Sequence, residues 1–261
     1  MSPSQPPNEP PSESPNAPPK RAYDELRVVT YNIHSCIGTD GQRDPERVGR
    51  VLCGLEPDIV ALQEVNTALN QRVELGQLAV LARMTGLEPV VGPVIEREYG
   101  FYGNAILSRF PAAHVRRLDL SVEGFEPRGA LDVDLDVGGE RVRVVATHLG
   151  LATSERRTQI GRLLSTLYRN PRGHAAIVLG DFNEWFGWSR NLRRLNSYLG
   201  WQPRRATYPS QCPVLALDRI WVAPKLLLRD AGVDNGELAR VASDHLPLWA
   251  DMRLAAWPQH G

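Results

Sequence analysis

The chain has 261 residues, 42% of them hydrophobic and 23% charged, an ordinary globular composition that excludes wholesale disorder and leaves room for a large core. Its 30 basic and 30 acidic residues cancel, so the field of the whole molecule does not draw it onto nucleic acid or an anionic membrane, although a local patch could. No apolar run reaches the roughly 18 residues of a membrane span, no basic start leads into an apolar leader, and Cys36, Cys53 and Cys212 form no disulfide framework; we expect no integral membrane segment and a reduced, cytoplasmic setting.

Residues 1–22 hold eight of the 21 prolines and almost nothing apolar, so they read as a disordered tail, with one domain over residues 23–261 beginning near Tyr23. Leu26–Asn32 is short, apolar and β-branched, the pattern of a buried strand. Asp44 then offers a helix N-cap with Pro45 at the first helical position. Val48, Val51, Leu52 and Leu55 form the apolar face, and Pro57 ends the helix. Asp58–Val65 is a second buried strand; Leu75, Leu78, Ala79 and Ala82 mark another helix, closing near Gly86. Farther on, Leu131, Val133, Leu135 and Val137 alternate with Asp132, Asp134 and Asp136, which predicts a strand with one wet face. Gly138-Gly139 signals a hairpin, and Arg141–His148 returns. Ser154 is placed as the cap of a helix carrying Ile160, Leu163, Leu164 and Leu167. A buried strand follows at Ala175–Leu179, and Trp188, Leu192, Leu195 and Leu199 predict a short helix. Leu217–Val222 and Leu246–Met252 are the last strands. Hairpins beside buried strands and helices disfavour a doubly wound parallel sheet and favour two packed sheets flanked by helices.

Polar residues recur where these apolar runs stop: Asn32, Glu64, His148, Asp181 with Asn183, and Asp244-His245 just before the last strand. Neighbouring strands lie about 4.8 Å apart, so such tips can converge on one small volume. Glu64, Asp181 and Asp244 are hard oxygen donors, and Asn32 and Asn183 add carbonyl oxygens. That set suits Mg²⁺ and suits zinc poorly. A metal, a carboxylate able to orient water and two imidazoles are the parts needed to hydrolyse a phosphate ester.

Thr30–His34 (T-Y-N-I-H), Leu62–Val65 (L-Q-E-V), Gly103–Arg109 (G-N-A-I-L-S-R), Thr147–Leu149 (T-H-L), Gly180–Asn183 (G-D-F-N), Leu217–Trp221 (L-D-R-I-W) and Ser243–Leu248 (S-D-H-L-P-L) resemble, in this order, the motifs of the endonuclease/exonuclease/phosphatase superfamily. Each is weak alone; their joint order and spacing are specific. The resemblance implies a four-layered α/β/β/α sandwich of two mainly antiparallel sheets flanked by helices, with one metal-dependent site. It implies Glu64 as the Mg²⁺ ligand, with Asn32 and Asp244 beside it and Mn²⁺ as a substitute ion. Asp181 would orient the attacking water, Asn183 would contact the phosphate, His245 and His148 would serve the phosphoryl group, and Asp218 would orient His245. His34, Asn104 and Arg128 are candidate substrate contacts, each with a plain packing or surface role as its alternative. Where many relatives carry a cation and then glycine after the first motif, this chain has Ser35 and Cys36.

The expected activity is hydrolysis of a phosphodiester by in-line attack of water, on a nucleic acid or a phospholipid headgroup, with no obligate protein partner evident. The alternatives are a phosphomonoesterase of the same fold or a non-catalytic scaffold that binds partners through the Pro-rich tail. Trp185, Phe186 and Trp188 are expected to pack in the core, against the sharper reading of a wall for a base or lipid. Arg190, Arg193, Arg194, Arg204 and Arg205 could face substrate or form a solvated surface.

Overall fold

A computed structural model of the chain describes residues 25–67, 76–168, 175–200, 202 and 204–254. The Pro-rich segment, the expected domain start at Tyr23 and Leu75 of the second helix lie outside the described residues.

Strand β1 (Glu25–Asn32) leads through a 3-10 turn to helix α1 (Pro45–Leu55). Asp44 caps α1 by accepting from Arg47 N at 2.9 Å, Pro45 opens it, and Glu56 in left-handed conformation closes it. Strand β2 (Ile59–Asn66), helix α2 (Gln77–Thr85), strands β3 (Glu88–Arg97), β4 (Gly100–Ser108) and β5 (Ala112–Asp119) follow. The β6 (Gly129–Val137) and β7 (Glu140–His148) hairpin turns through Gly138 and Gly139, both at positive φ as a tight hairpin turn of this hand requires. Then come α3 (Thr153–Tyr168), β8 (Ala175–Asp181), α4 (Arg190–Leu199), β9 (Asp218–Ala223), β10 (Leu228–Val233), α5 (Glu237–Ala242) and β11 (Leu248–Arg253).

One sheet has the order β10-β11-β1-β2-β4-β3 and the other β5-β6-β7-β8-β9. Both are mixed: β1 runs parallel to β2 and β7 parallel to β8, while the remaining pairs are antiparallel. The central core lies between the sheets, with Val28, Ile59 and Ile106 of the first meeting Leu131, Val144 and Ile177 of the second. The outer face of the first sheet buries Val29 and Val60 under α1, α2 and α5. That of the second buries Val145 and Val178 under α3 and α4. The layers are therefore α/β/β/α, as the motifs implied.

Several local expectations change. The aspartate face of β6 is wet only at Asp136, near the hairpin; Asp132 is 0% exposed and Asp134 5%. Arg116 of β5 reaches both, at 2.8–3.0 Å, and Arg143 of β7 clasps Asp132 at 2.6 and 2.9 Å. Strict alternation marks two faces of a strand, and here most of the polar face is buried by cross-strand ion pairs. α3 starts at Thr153, with Ser154 inside it, and α4 is capped by the Ser189 hydroxyl, with Trp188 outside. Trp185, Phe186 and Trp188 do not pack in the core; all three are exposed. β3, β4, β5, β10 and α5 carried no periodic signal that placed them.

Candidate active site

Alternation along the strands explains how the site forms. Val144 and Ala146 of β7, Ile177 and Leu179 of β8, and Ile220 and Val222 of β9 face the inter-sheet core. His148, Asp181 and Asp218 continue those rows, so all three point between the sheets at one end. Asn32 continues the inward row of Val28 and Thr30 from the other sheet. Glu64 would break the pattern, since Leu62 faces outward. A register shift between Leu62 and Val65 and a left-handed Glu64 (φ 57°) re-aim its side chain toward Asn32. Asn183 is likewise left-handed (φ 50°). Gly180 makes the close approach of β8 to β7 possible: a Cβ there would lie 1.9 Å from the Thr147 carbonyl oxygen. His148 and Asp181 are thereby register partners.

The side chains converge. Asn32 Nδ2 donates to Glu64 Oε1 at 3.0 Å and to Asp181 Oδ2 at 3.2 Å, bridging the two sheets. Asp181 Oδ2 lies 3.6 Å from His148 Nε2 and 3.7 Å from His245 Nε2, and its Oδ1 accepts from Asn183 N at 2.9 Å. Both donors of the Asn183 amide are engaged, one by Leu149 O at 2.9 Å and one by His148 Nε2 at 3.2 Å. In this arrangement Asn183 ties the aspartate to the histidine. His245 donates through Nδ1 to Asp218 Oδ2 at 2.9 Å.

Sequence reasoning missed three supporting residues. Buried Thr207 donates its hydroxyl to the same Asp218 oxygen at 2.5 Å. Tyr208 stacks its ring 4.9 Å from that of His245. Ser243 donates to Asn32 O at 2.8 Å, fastening the S-D-H segment to the end of β1. Ser243 was visible in its motif; Thr207 and Tyr208 sit in a loop with no periodicity to mark them.

The two imidazoles differ in charge state. Burial disfavours protonation of His148 and, helped by Arg128 and His245 against the pull of Asp181, lowers its pKa to about 4. Its Nε2 accepts from Asn183, as a neutral ring can. Burial also works against charge on His245, but Asp218 and Asp181 outweigh it and raise the pKa to about 10. One histidine is thus neutral and the other cationic at neutral pH, on either side of one carboxylate.

Asp244, with 38% of its side chain exposed, lies 4.0 Å from His34 Nδ1 at the outer side of the constellation. His34 is bound through its backbone N–H to Asn32 Oδ1. Arg128 is 7% exposed, pairs with Glu126 at 2.8 Å, and lines a small pocket with Glu64, Tyr102, Asn104 and His148. Its Nε has no partner. Asn104 is buried and donates to Gly129 O at 3.0 Å. The Glu64 carboxylate accepts one hydrogen bond and has no ion pair among the described residues. With Asn32 and Asp244 it offers hard oxygens, the chemistry of a Mg²⁺-type cation. A tighter group of candidate ligand atoms is Asp181, Asp218 and His245, within 4.8 Å of one another. The short His245–Asp218 hydrogen bond already occupies part of that group, so we favour the Glu64 side.

The profile of the Endonuclease/Exonuclease/phosphatase family matches residues 29–245, a span that contains every residue of this constellation. The chain belongs to that family. Members of this family are hydrolases of phosphoric esters. The chain is 31% identical over 246 residues to uncharacterized protein YbhP of Escherichia coli strain K12, covering 88% of this chain and 96% of that one. An endonuclease/exonuclease/phosphatase structure from Beutenbergia cavernae superposes with a TM-score of 0.71 at 24% identity, over 91% of this chain and 73% of that one. Bacteroides thetaiotaomicron mannosyl-6-phosphatase Bt3783 does so with a TM-score of 0.70 at 19% identity, over 86% and 98%. At these identities both show the shared fold. Among the described residues no helix is long and apolar enough to cross a membrane.

Proposed function

We propose that the chain is a Mg²⁺-dependent hydrolase that cleaves a phosphodiester by in-line attack of water. The observation that carries this reading is the Asp181 carboxyl group held between the His148 and His245 imidazoles at 3.6 and 3.7 Å, with Asn32 joining it to Glu64. Glu64, Asn32 and Asp244 would hold the cation, which when bound neutralises charge on a non-bridging phosphate oxygen. Asp181 orients a water and takes its proton. The Asn183 backbone N–H fixes the aspartate's other oxygen, so the lone pair of Oδ2 has one direction in which to act. His245, charged through Asp218, stabilises negative charge on the phosphoryl group and delivers a proton to the leaving oxygen through Nε2. His148, uncharged, orients water or substrate as a neutral partner.

One observation favours a phosphomonoesterase instead: buried Arg128, with its Nε unpartnered beside Glu64 and His148, could hold a dianionic terminal phosphate. Hydrolysis of bis-(p-nitrophenyl) phosphate and of p-nitrophenyl phosphate separates the two. We expect diester cleavage with Mg²⁺ or Mn²⁺, its loss in EDTA, and a fall of at least about 100-fold in Glu64→Ala. Diester cleavage indifferent to both chelation and this change would overturn the reading, and cleavage of the monoester alone would replace it.

A further inference from the structure

Three exposed aromatic side chains follow within five residues of Asn183: Trp185 at 52%, Phe186 at 58% and Trp188 at 72%. Leu151, three residues beyond His148, is 70% exposed. These tips occupy two loops that leave the C-terminal ends of the parallel neighbours β7 and β8, the end of the sheet that carries the site.

The two loops are built to stay outward. Buried Arg156 donates to Glu184 Oε1 at 2.9 Å, to Gly150 O at 3.2 Å and to Leu151 O, so one guanidinium spans both. Glu184, 2% exposed, also accepts from Asn191 at 2.7 Å, and Gly150 N donates to Gln159 at 2.9 Å. Pulling either loop away would leave one of these buried charges without its partner, which is costly. Gly187 rests against the Arg204 guanidinium, 2.3 Å from where a Cβ would sit, which fixes the turn between Phe186 and Trp188.

Along the chain that carries the rim, the exposed charge has one sign. From Leu149 to Arg205 the acidic residues Glu155, Asp181 and Glu184 are all buried. Every exposed charged side chain described in that stretch is an arginine, including Arg157, Arg190, Arg193, Arg194, Arg204 and Arg205. A molecule of zero net charge thus exposes only cations along the stretch that bears the aromatic rim, with the Arg204 guanidinium against the rim's own turn.

We propose that this rim docks on an anionic phospholipid surface, presenting the site at the interface. Tryptophan and phenylalanine enter the headgroup region, and arginines meet anionic lipid. A single-stranded nucleic acid would use the rings as separate stacking platforms. Here the Phe186 and Trp188 ring centroids lie 5.3 Å apart with planes tilted by 36°, so the two rings pack on each other as one apolar knob rather than standing as separate parallel platforms. The inference goes beyond the reaction and is tested without it.

The full chain is sedimented with vesicles of phosphatidylcholine alone and of phosphatidylcholine with phosphatidylglycerol, and tryptophan emission is recorded. We expect binding to the anionic vesicles with a blue shift, weakened by salt. The triple change Trp185→Ser, Phe186→Ser, Trp188→Ser should reduce it at least tenfold. Arg190→Gln with Arg193→Gln should weaken it while leaving the blue shift of the bound fraction. All five side chains are exposed, and an unchanged far-ultraviolet dichroism spectrum confirms folding. The inference fails if anionic vesicles do not bind or if the triple variant binds as well as the parent. It also fails if the rim instead retains a single-stranded oligonucleotide, read by fluorescence anisotropy, and no vesicle.

Discussion

Asp218→Asn tests the charge assignment at its source. Asp218 Oδ2 lies 2.9 Å from His245 Nδ1, and both groups are buried. At that distance a unit-charge pair with an effective dielectric constant of about 20 is worth about 6 kcal/mol, and burial of the pair takes back roughly half. The amide keeps the shape, and its oxygen still accepts from His245 and Thr207, so little but the charge is lost. About 3 kcal/mol of charge stabilisation should disappear from the transition state, a fall of about 100-fold in kcat, with KM nearly unchanged. Steady-state hydrolysis of bis-(p-nitrophenyl) phosphate across pH, beside a melting curve to confirm folding, measures this. A kcat within about twofold of the parent and an unshifted pH profile would refute the argument that Asp218 keeps His245 cationic.

Thr207→Val removes the 2.5 Å hydroxyl contact that steadies Asp218; kcat should fall about tenfold with KM unchanged and recover in Thr207→Ser. Gly180→Ala should lower the urea midpoint by the equivalent of about 3 kcal/mol or more, because its Cβ meets the Thr147 carbonyl at 1.9 Å and its φ of 143° excludes side chains; an unchanged midpoint would contradict the close approach of β7 and β8. His148 predicts a pH dependence of stability. Its folded pKa of about 4 lies below the usual 6.5, so the unfolded chain takes up the proton first as pH falls. The neutral ring's contribution is complete above pH 6.5 and is lost progressively down to pH 4, about 3 kcal/mol in all. Urea midpoints over this range should therefore fall less steeply in His148→Gln than in the parent.

The site was more legible in the sequence than the sheets around it. Asn32, Asp181 and His148 each end an apolar row, whereas Asp218, the first residue of β9, was read only through its L-D-R-I-W motif. Their meeting needed no more than the period of two and the alignment of neighbouring strands. Glu64 was legible by motif but not by pattern, because a bulge reverses its direction. Of the strands that went unread, β3, β5 and β10 are edge strands: β3 contains Pro89, Gly92 and Pro93, and β5 is mostly exposed along its length, while interior β4 offers only the short buried run Ala105–Leu107. The edge strands carry no apolar row to read. Asp132 and Asp134 looked solvated because alternation reports two faces without saying what covers either. Their cover comes from Arg116 and Arg143 on the flanking strands, a long-range fact. The aromatic trio read as core because large apolar residues usually are; only the placement of the loop shows otherwise.

The arginine clasp on β6 also bears on how the molecule behaves among copies of itself. β5 is the open margin of its sheet, with unpaired backbone groups along one side. Arg116 sits directly opposite Asp132 in the pairing of β5 with β6. A slip of one residue would swing the guanidinium to the reverse face and leave a carboxylate with 0% exposure short of half its counter-charge. The clasp therefore works as an electrostatic latch on register: it holds the margin strand to one alignment against its neighbour and rejects the shifted ones.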